Sequence, residues 1–452
     1  MKLIFILLAL LHSTAFANFV NENLKVLNWN GLEVKWLQDE QSPTFELVVQ
    51  FHEGAGSEKR SKSGITSLTF DLLTTGTSRY KQSEILDHLE YFGARYSSSV
   101  THEFAQYYVE GLTKDSVPVM KKICHIFSDA QYPKKNLEKA KARILAALAN
   151  LPRDHKAVAD RAFRFETMKG TAYALDVGGR IQSISKIRRS HLLKKLSYFK
   201  NDVKKTIYIR GSSKLKELES VISKDCGWKP VAKVSGSASL LAIPNFKKRV
   251  IYIPVAANQT QIRIGSYMSR VEARKNIDLD SFVSALLGSG FTSRLNQEIR
   301  VKRGLTYSIS TRIGSQKGYG RKWITTSTKA DQTVDMLKAI ESVIKKSSTD
   351  LDKVDFLRAK TFVKGNYLFS LESNSAFLNK IIYLDHMGLD YSSIYEFPNK
   401  VDLFSRVQVM KRVGTMFDLD KSLIIIVGPK SVVKGLRKAG YEVRVRDVKR
   451  YL

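Results

Sequence analysis

Chemistry at a helix-borne metal site needs paired histidines, and pairing can be tested by spacing. Two imidazoles reach one ion from one helix face only at i, i+3 or i, i+4. The sequence holds eight histidines and two cysteines. His12 lies in an apolar leading segment. Among His52, His88, His102, His125, His155, His191 and His386 no two have that spacing. Cys124 and His125 are neighbours and point apart on a helix. Two cysteines exclude a cysteine-rich zinc cluster and a multi-bridge scaffold. No G-x-S-x-G elbow and no phosphate-binding P-loop is present. Any chemistry must be sought in the elements that bring distant residues together.

The chain of 452 residues is 43% hydrophobic and 10% aromatic, a globular composition. It is long enough for two or more domains. Basic residues number 74 against 43 acidic, a net charge of +31. Such a field favours acidic partners. The basic residues are scattered, however, and no nucleic-acid motif accompanies them, so nucleic acid is not the expected partner. The densest stretch, Lys186 to Lys195, reads as one solvated helix face.

Residues 1–17 read as an export signal: Lys2, an apolar run from Leu3 to Leu11, and a small-x-small cleavage site at Ala15-Phe16-Ala17. The run is too short to span a bilayer. A periplasmic or secreted location is expected, with the mature chain starting at Asn18. Export makes a Cys124–Cys226 disulfide chemically possible, and the sequence leaves open whether the thiols meet.

A long internal repeat organises the rest. Tyr91–Ser99 echoes Lys302–Ser310, Gln106–Asp115 echoes Lys322–Asp331, and Asn136–Lys139 echoes Asp350–Lys353, at offsets of 211, 216 and 214 residues. Within the first copy, Phe45–Phe51 reads as a strand. Helices are expected from Gly64 to Leu73, Gln82 to Tyr91, Val117 to Ser128 and Lys134 to Leu151. Tyr96–Val100 and Gln106–Leu112 read as a strand pair. The second copy offers strands at Arg249–Pro254 and Thr260–Ile264, with helices at Leu279–Leu287 and Thr333–Lys346. Residues 229–248, with Pro230, Pro244 and a Ser/Gly run, read as a linker. The expected class is α+β, with two homologous domains at 18–228 and 249–452, each a sheet covered by helices.

Two stretches carry a resemblance. The first is Gly54-Ala-Gly-Ser-Glu58 followed by Lys62-Ser-Gly-Ile-Thr-Ser-Leu-Thr-Phe-Asp-Leu-Leu-Thr-Thr-Gly-Thr77. The second is Leu287-Gly-Ser-Gly-Phe-Thr-Ser-Arg-Leu-Asn-Gln-Glu-Ile-Arg-Val-Lys-Arg-Gly-Leu-Thr-Tyr307. They resemble the first- and second-domain signatures of the pitrilysin/insulinase metallopeptidases, which include the mitochondrial processing peptidases. The resemblance covers nearly the whole mature chain and implies a clam-shell of two domains around a chamber.

It also implies a catalytic H-x-x-E-H helix, in which two histidines hold zinc and the glutamate acts as general base. Here those positions are Ser67, Phe70 and Asp71, and the third zinc ligand falls near Ala147. All four are substituted, so no catalytic residue and no bound zinc are expected in this chain. What the resemblance retains is Arg300 and Tyr307, seven residues apart. In the family this pair binds substrate backbone and stabilises the tetrahedral intermediate, as a guanidinium and a phenol can. Arg303-Gly304 would supply the bend between them.

The resemblance therefore implies a non-catalytic, exported subunit of a zinc-peptidase pair. Its partner would be a homologous exported subunit with an intact H-x-x-E-H and its own zinc, and its substrate a peptide. The alternative is an envelope scaffold with no role in proteolysis. The protein recovered from the envelope fraction should start at Asn18 by N-terminal sequencing; an intact Met1 would contradict the export reading.

Overall fold

The computed structural model describes residues 20, 22–39, 41–211, 214–232 and 249–452. Residues 1–17, read as an export signal, and residues 233–248 of the expected linker lie outside the described residues. Two six-stranded sheets are described, and their strand orders show the duplication.

The first sheet contains β1 (Leu24–Trp29), β2 (Leu32–Leu37), β3 (Thr44–Phe51), β4 (Arg95–Val100), β5 (Ala105–Leu112) and β6 (Lys205–Arg210), in the order β1-β2-β6-β3-β5-β4. The second contains β7 (Arg249–Pro254), β8 (Gln259–Ser269), β9 (Ile309–Ser315), β10 (Tyr319–Lys329), β11 (Leu423–Gly428) and β12 (Glu442–Val445), in the order β12-β7-β11-β8-β10-β9. β2 and β6 run parallel, as do β7 and β11. β6 is antiparallel to β3, and β11 to β8. The hairpins β5–β4 and β10–β9 correspond as well. Only the edge differs. In the first sheet it is a hairpin strand antiparallel to β2, and in the second it is the late strand β12, parallel to β7.

The helices read from periodicity are present with small end shifts: Ile65–Asp71, Gln82–Tyr91, Ser116–Asp129, Lys134–Asn150, Ile277–Gly288 and Thr333–Thr349. The Lys186–Lys195 stretch differs from expectation. Its helix begins at Arg189, buries Leu192, Leu196 and Phe199, and leaves Lys186–Arg188 in the preceding turn. Three apolar positions four or three apart outweigh the surrounding charge and fix which face turns inward.

One core lies against the first sheet, where Phe45, Leu47, Val49, Phe51, Ile207 and Ile209 meet the Ser116–Asp129 and Leu215–Asp225 helices. A matching core lies against the second, where Val250, Ile262, Ile264, Ile324, Ile424 and Ile426 meet Thr333–Thr349 and Arg406–Met416. β6 and β11 are buried at every position, so each sheet also needs cover on its other face.

That cover comes from the opposite half of the sequence. The compact units are Met1–Leu148, Leu175–Ala238 and Ser373–Tyr395 for the first, and Ala149–Ala174, Ser239–Glu372 and Glu396–Leu452 for the second. Residues 18–228 and 249–452 thus hold one sheet each, while the units interleave. In the second unit the His155–Thr167 helix packs Val158, Ala159, Ala162 and Phe163 on Ile251, Ile253, Leu423, Ile425 and Val427. Buried Arg263 of β8 pairs there with Asp160 at 2.6 Å. In the first unit the Asn374–Met387 helix buries Leu378, Ile381, Ile382, Leu384 and Met387 and adds polar contacts. Lys35 meets Asp385 at 2.6 Å, Ser375 donates to Glu46 at 3.0 Å, and His386 meets Glu103 at 2.7 Å.

Cys124 and Cys226 form a disulfide between the Ser116–Asp129 helix and the residue that follows Leu215–Asp225. The bridge closes a loop of 102 residues. Closing a loop near that length restricts the unfolded chain by about 4.7 kcal/mol. The C124S/C226S double variant should lose about that much stability in denaturant titration, and reductant should lower the midpoint of the parent protein in the same direction.

Candidate functional site

The Ile65–Asp71 helix carries the stretch that resembles the family's zinc helix, and its start is fixed by the flanking residues. Glu58 accepts the Gly64 amide at 2.7 Å and the Thr66 amide at 2.8 Å, satisfying donors that the first turn leaves open. Burial pushes the Glu58 carboxyl up, and those two hydrogen bonds oppose it. Gly64 sits at φ +90°, where an added Cβ would lie 2.9 Å from the Gly178 carbonyl. The close approach of this backbone therefore requires glycine.

The substituted positions have structural roles or none. Ser67 donates to the Val177 carbonyl at 2.8 Å. Phe70 is 2% exposed and packs edge-on against Phe51 at 5.3 Å and Phe199 at 5.1 Å. Phe127 and Trp228 complete the aromatic cluster around Phe51. Asp71 is exposed and accepts from Ser98 at 3.3 Å. Ala147 is exposed on the Lys134–Asn150 helix. A serine hydroxyl, a phenyl ring, one carboxylate and a methyl group do not fit zinc, which takes nitrogen, thiolate and carboxylate ligands in a tetrahedron. Among the described residues no group of three or more His, Cys, Asp or Glu side chains is placed to hold a metal. Histidines 52, 88, 102, 125, 191 and 386 each meet a hydrogen-bonding neighbour.

The second signature is built differently. Residues 296–301 form a single π-helical turn, a rare conformation that recurs at functional sites. It ends in a turn with Gly304 at φ +62°, the bend expected at Arg303-Gly304. Buried polar side chains pin the segment. Asn296 donates to the Gly290 and Ile309 carbonyls at 3.1 and 3.0 Å. Arg294 pairs with Asp355 at 3.0 Å. Thr328 donates to the Leu305 carbonyl at 2.7 Å, and Thr326 to the Ser308 carbonyl at 2.9 Å. Arg294 and Asn296 of the signature act as staples, as do Thr326 and Thr328 beyond it, a role the sequence did not reveal because Asp355, Ile309 and the two threonines lie outside the motif.

On this pinned frame Arg300 and Tyr307 face away from the core. Arg300 is exposed, its guanidinium 5.2 Å from the centroid of the Phe291 ring. Tyr307 is 88% exposed. Burying neither side chain contributes to folding, so the fold does not account for their retention.

Comparison with known proteins now gives the class. A family profile described as Insulinase (Peptidase family M16) matches residues 34–179, and one described as Peptidase M16 inactive domain matches residues 196–363. The chain belongs to the M16 family and joins an M16 N-terminal domain to the family's inactive C-terminal domain. It is 22% identical over 410 residues to a Helicobacter pylori protein called non-peptidase homolog YmxG, covering 89% of this chain and 93% of that one. It is also 20% identical over 399 residues to an uncharacterized zinc protease YmxG of Bacillus subtilis, covering 86% and 94%. A solved structure titled as a peptidase M16 inactive domain from Pseudomonas fluorescens shares the fold with a TM-score of 0.81 at 20% identity, covering 90% of this chain and 98% of that one.

Returning the family's residues at the first helix should not restore a zinc site. In the triple variant S67H/F70E/D71H the glutamate replaces a ring buried among aromatics. Removing that ring alone costs about 3–5 kcal/mol, and an unpaired carboxyl there adds to the loss. The third ligand is still missing. Elemental analysis should find no stoichiometric zinc, and the melting temperature should fall. One tightly held zinc per chain would refute this account.

Proposed function

We propose that this protein is the non-catalytic, exported member of a zinc-peptidase pair, presenting Arg300 and Tyr307 to substrate at a partner's metal centre. The partner is a homologous subunit with an intact H-x-x-E-H helix. The observation that carries the reading is Tyr307, 88% exposed on a loop that buried threonines hold in place. A fully solvated aromatic ring on a pinned frame is what a recognition residue needs and what a core residue avoids. The Phe70 cluster supports the other half of the reading, because the position of the catalytic base is occupied by packed core.

The chemistry follows from the two groups. The Arg300 guanidinium has a planar fork of donors and stays charged, so it can hold peptide carbonyls of an extended substrate. The Tyr307 phenol can donate one hydrogen bond to an oxygen on which negative charge develops. Neither group takes a proton from water, so bond cleavage depends on the partner. The M16 relative named as a non-peptidase homolog agrees with a role outside catalysis.

The experiment reconstitutes the pair with a co-purified homologue that carries H-x-x-E-H. Losing an oxyanion donor costs about 100- to 1000-fold in turnover. Tyr307→Phe and Arg300→Ala should each lower the complex's peptide turnover toward that range, with gel filtration and circular dichroism unchanged. Parent-level turnover in both variants of a verified complex would overturn the assignment and leave the scaffold reading.

A further inference from the structure

Six cationic side chains from three separate segments converge on one open cleft of the first unit. Its volume is about 800 Å3, and Lys62, Lys134, Lys141, Lys186, Arg188 and Arg189 line it. Glu138 is the single carboxylate in the lining, and Lys141 pairs with it at 3.2 Å. Lys62, Lys134, Lys186, Arg188 and Arg189 make no ion pair among the described residues.

Scattered surface lysines keep their charges apart in water. Here the fold gathers them around one open concavity, where their fields add. The groups are also partly preset. Arg189 donates to the Gln131 carbonyl and side chain at 2.6 and 2.7 Å, which fixes its guanidinium. The Lys62 ammonium lies 2.8 and 2.9 Å from the two ring nitrogens of His191. The His191 Nδ1 also accepts the Arg188 amide at 3.1 Å. Burial, and then the charges of Lys62 and Arg188, hold the imidazole below its usual value, so it adds no further positive charge at neutral pH. Buried Leu137 and Ile187 back the cleft.

We propose that this cleft binds a ligand carrying two or more clustered phosphate groups. Five unpaired cations exceed what one carboxylate or one phosphate can answer. Arginine forks and lysine point charges together match phosphate oxygens. The volume suits a diphosphate-bearing head rather than a lone ion. The proposal is independent of Arg300 and Tyr307 and survives if the peptidase-pair reading fails. The same chemistry is offered by a soluble phosphorylated compound and by anionic lipid headgroups.

The test uses the full mature chain. Inorganic pyrophosphate is titrated calorimetrically. Flotation is measured with vesicles of phosphatidylcholine alone and with cardiolipin, whose headgroup carries two phosphates, added. Saturable binding to pyrophosphate or selective flotation with the anionic vesicles is expected, weakening between about 50 and about 500 mM salt. Binding in the pyrophosphate arm alone assigns the site to a soluble ligand. Binding in the vesicle arm alone assigns it to a headgroup. K134E/R188E should weaken binding at least about tenfold. K62Q/K186Q, which leaves the helix start untouched, should weaken it in the same direction. The charge-matched control K430E/K438E alters exposed lysines of the second unit and should change binding less than about twofold. Circular dichroism should be the same for all. No saturable binding in either arm, retained binding in both cleft variants, or an equal loss in the control would overturn the proposal.

Discussion

A sheet buried on both faces must be covered twice, and that requirement organises this chain. Every position of β6 and of β11 is buried. The helices that follow each strand in sequence cover one face. The other is covered by a helix that belongs, by sequence, to the opposite repeat. The two solutions differ in chemistry. The second sheet presents isoleucine, leucine and valine to the His155–Thr167 helix and adds one buried pair, Arg263 with Asp160. The first presents Lys35, Glu46 and other polar groups to the Asn374–Met387 helix, which buries Leu378, Ile381, Ile382, Leu384 and Met387 and adds hydrogen bonds and ion pairs. Hydrophobic contact is non-directional, whereas paired polar groups specify one register. The first interface therefore carries more directional contacts beside its apolar ones.

Residue 70, where the resemblance would put a general base, is packed core. A carboxylate at residue 70 would need water or a metal beside it. A phenyl ring needs neither, and Phe51 and Phe199 close on it edge-to-face, an arrangement that contributes beyond simple burial. Glu58 and Gly64 are still required, because they serve the backbone of the helix rather than its former chemistry. Signature residues with backbone roles thus serve the fold whether or not a metal is held. The second signature divides in the same way, with Arg294 and Asn296 bonded inward and Arg300 and Tyr307 left outside.

Local pattern made much of this architecture legible. The Gln82–Tyr91 helix and the Arg249–Pro254 strand appear with the bounds that periodicity implies, because their apolar spacing is uninterrupted. The repeat offsets foretold two sheets of like order. β1 was not foreseen, since Leu24–Trp29 is an edge strand with an exposed Val26 and a weak alternation. The His155–Thr167 helix was not assigned to the second sheet, because its partners lie about a hundred residues or more away and no short-range signal reports them. The disulfide was undecidable for the same reason. At the sites, the residues standing at the resembled zinc positions were readable from register with the signature. The burial of Phe70 was not, since neither Phe51 nor Phe199 is near it in sequence. The cationic cleft was hidden by dispersal, its lysines and arginines coming from residue 62, from 134–141 and from 185–191.

The exchanged helices also impose a timetable on the molecule. All six strands of the first sheet have been synthesised once Arg210 is made, yet the helix that seals their second face ends only at Met387. Until then a half-covered sheet has polar groups with no partner and little reason to persist. Contacts that span so much chain are closed late and slowly, because their entropy must be met before they return anything. The nascent polypeptide is consequently committed to a long open phase, and neither gene half encodes a self-sufficient product. Fission of the coding sequence at the midpoint would sever each sheet from its own lid.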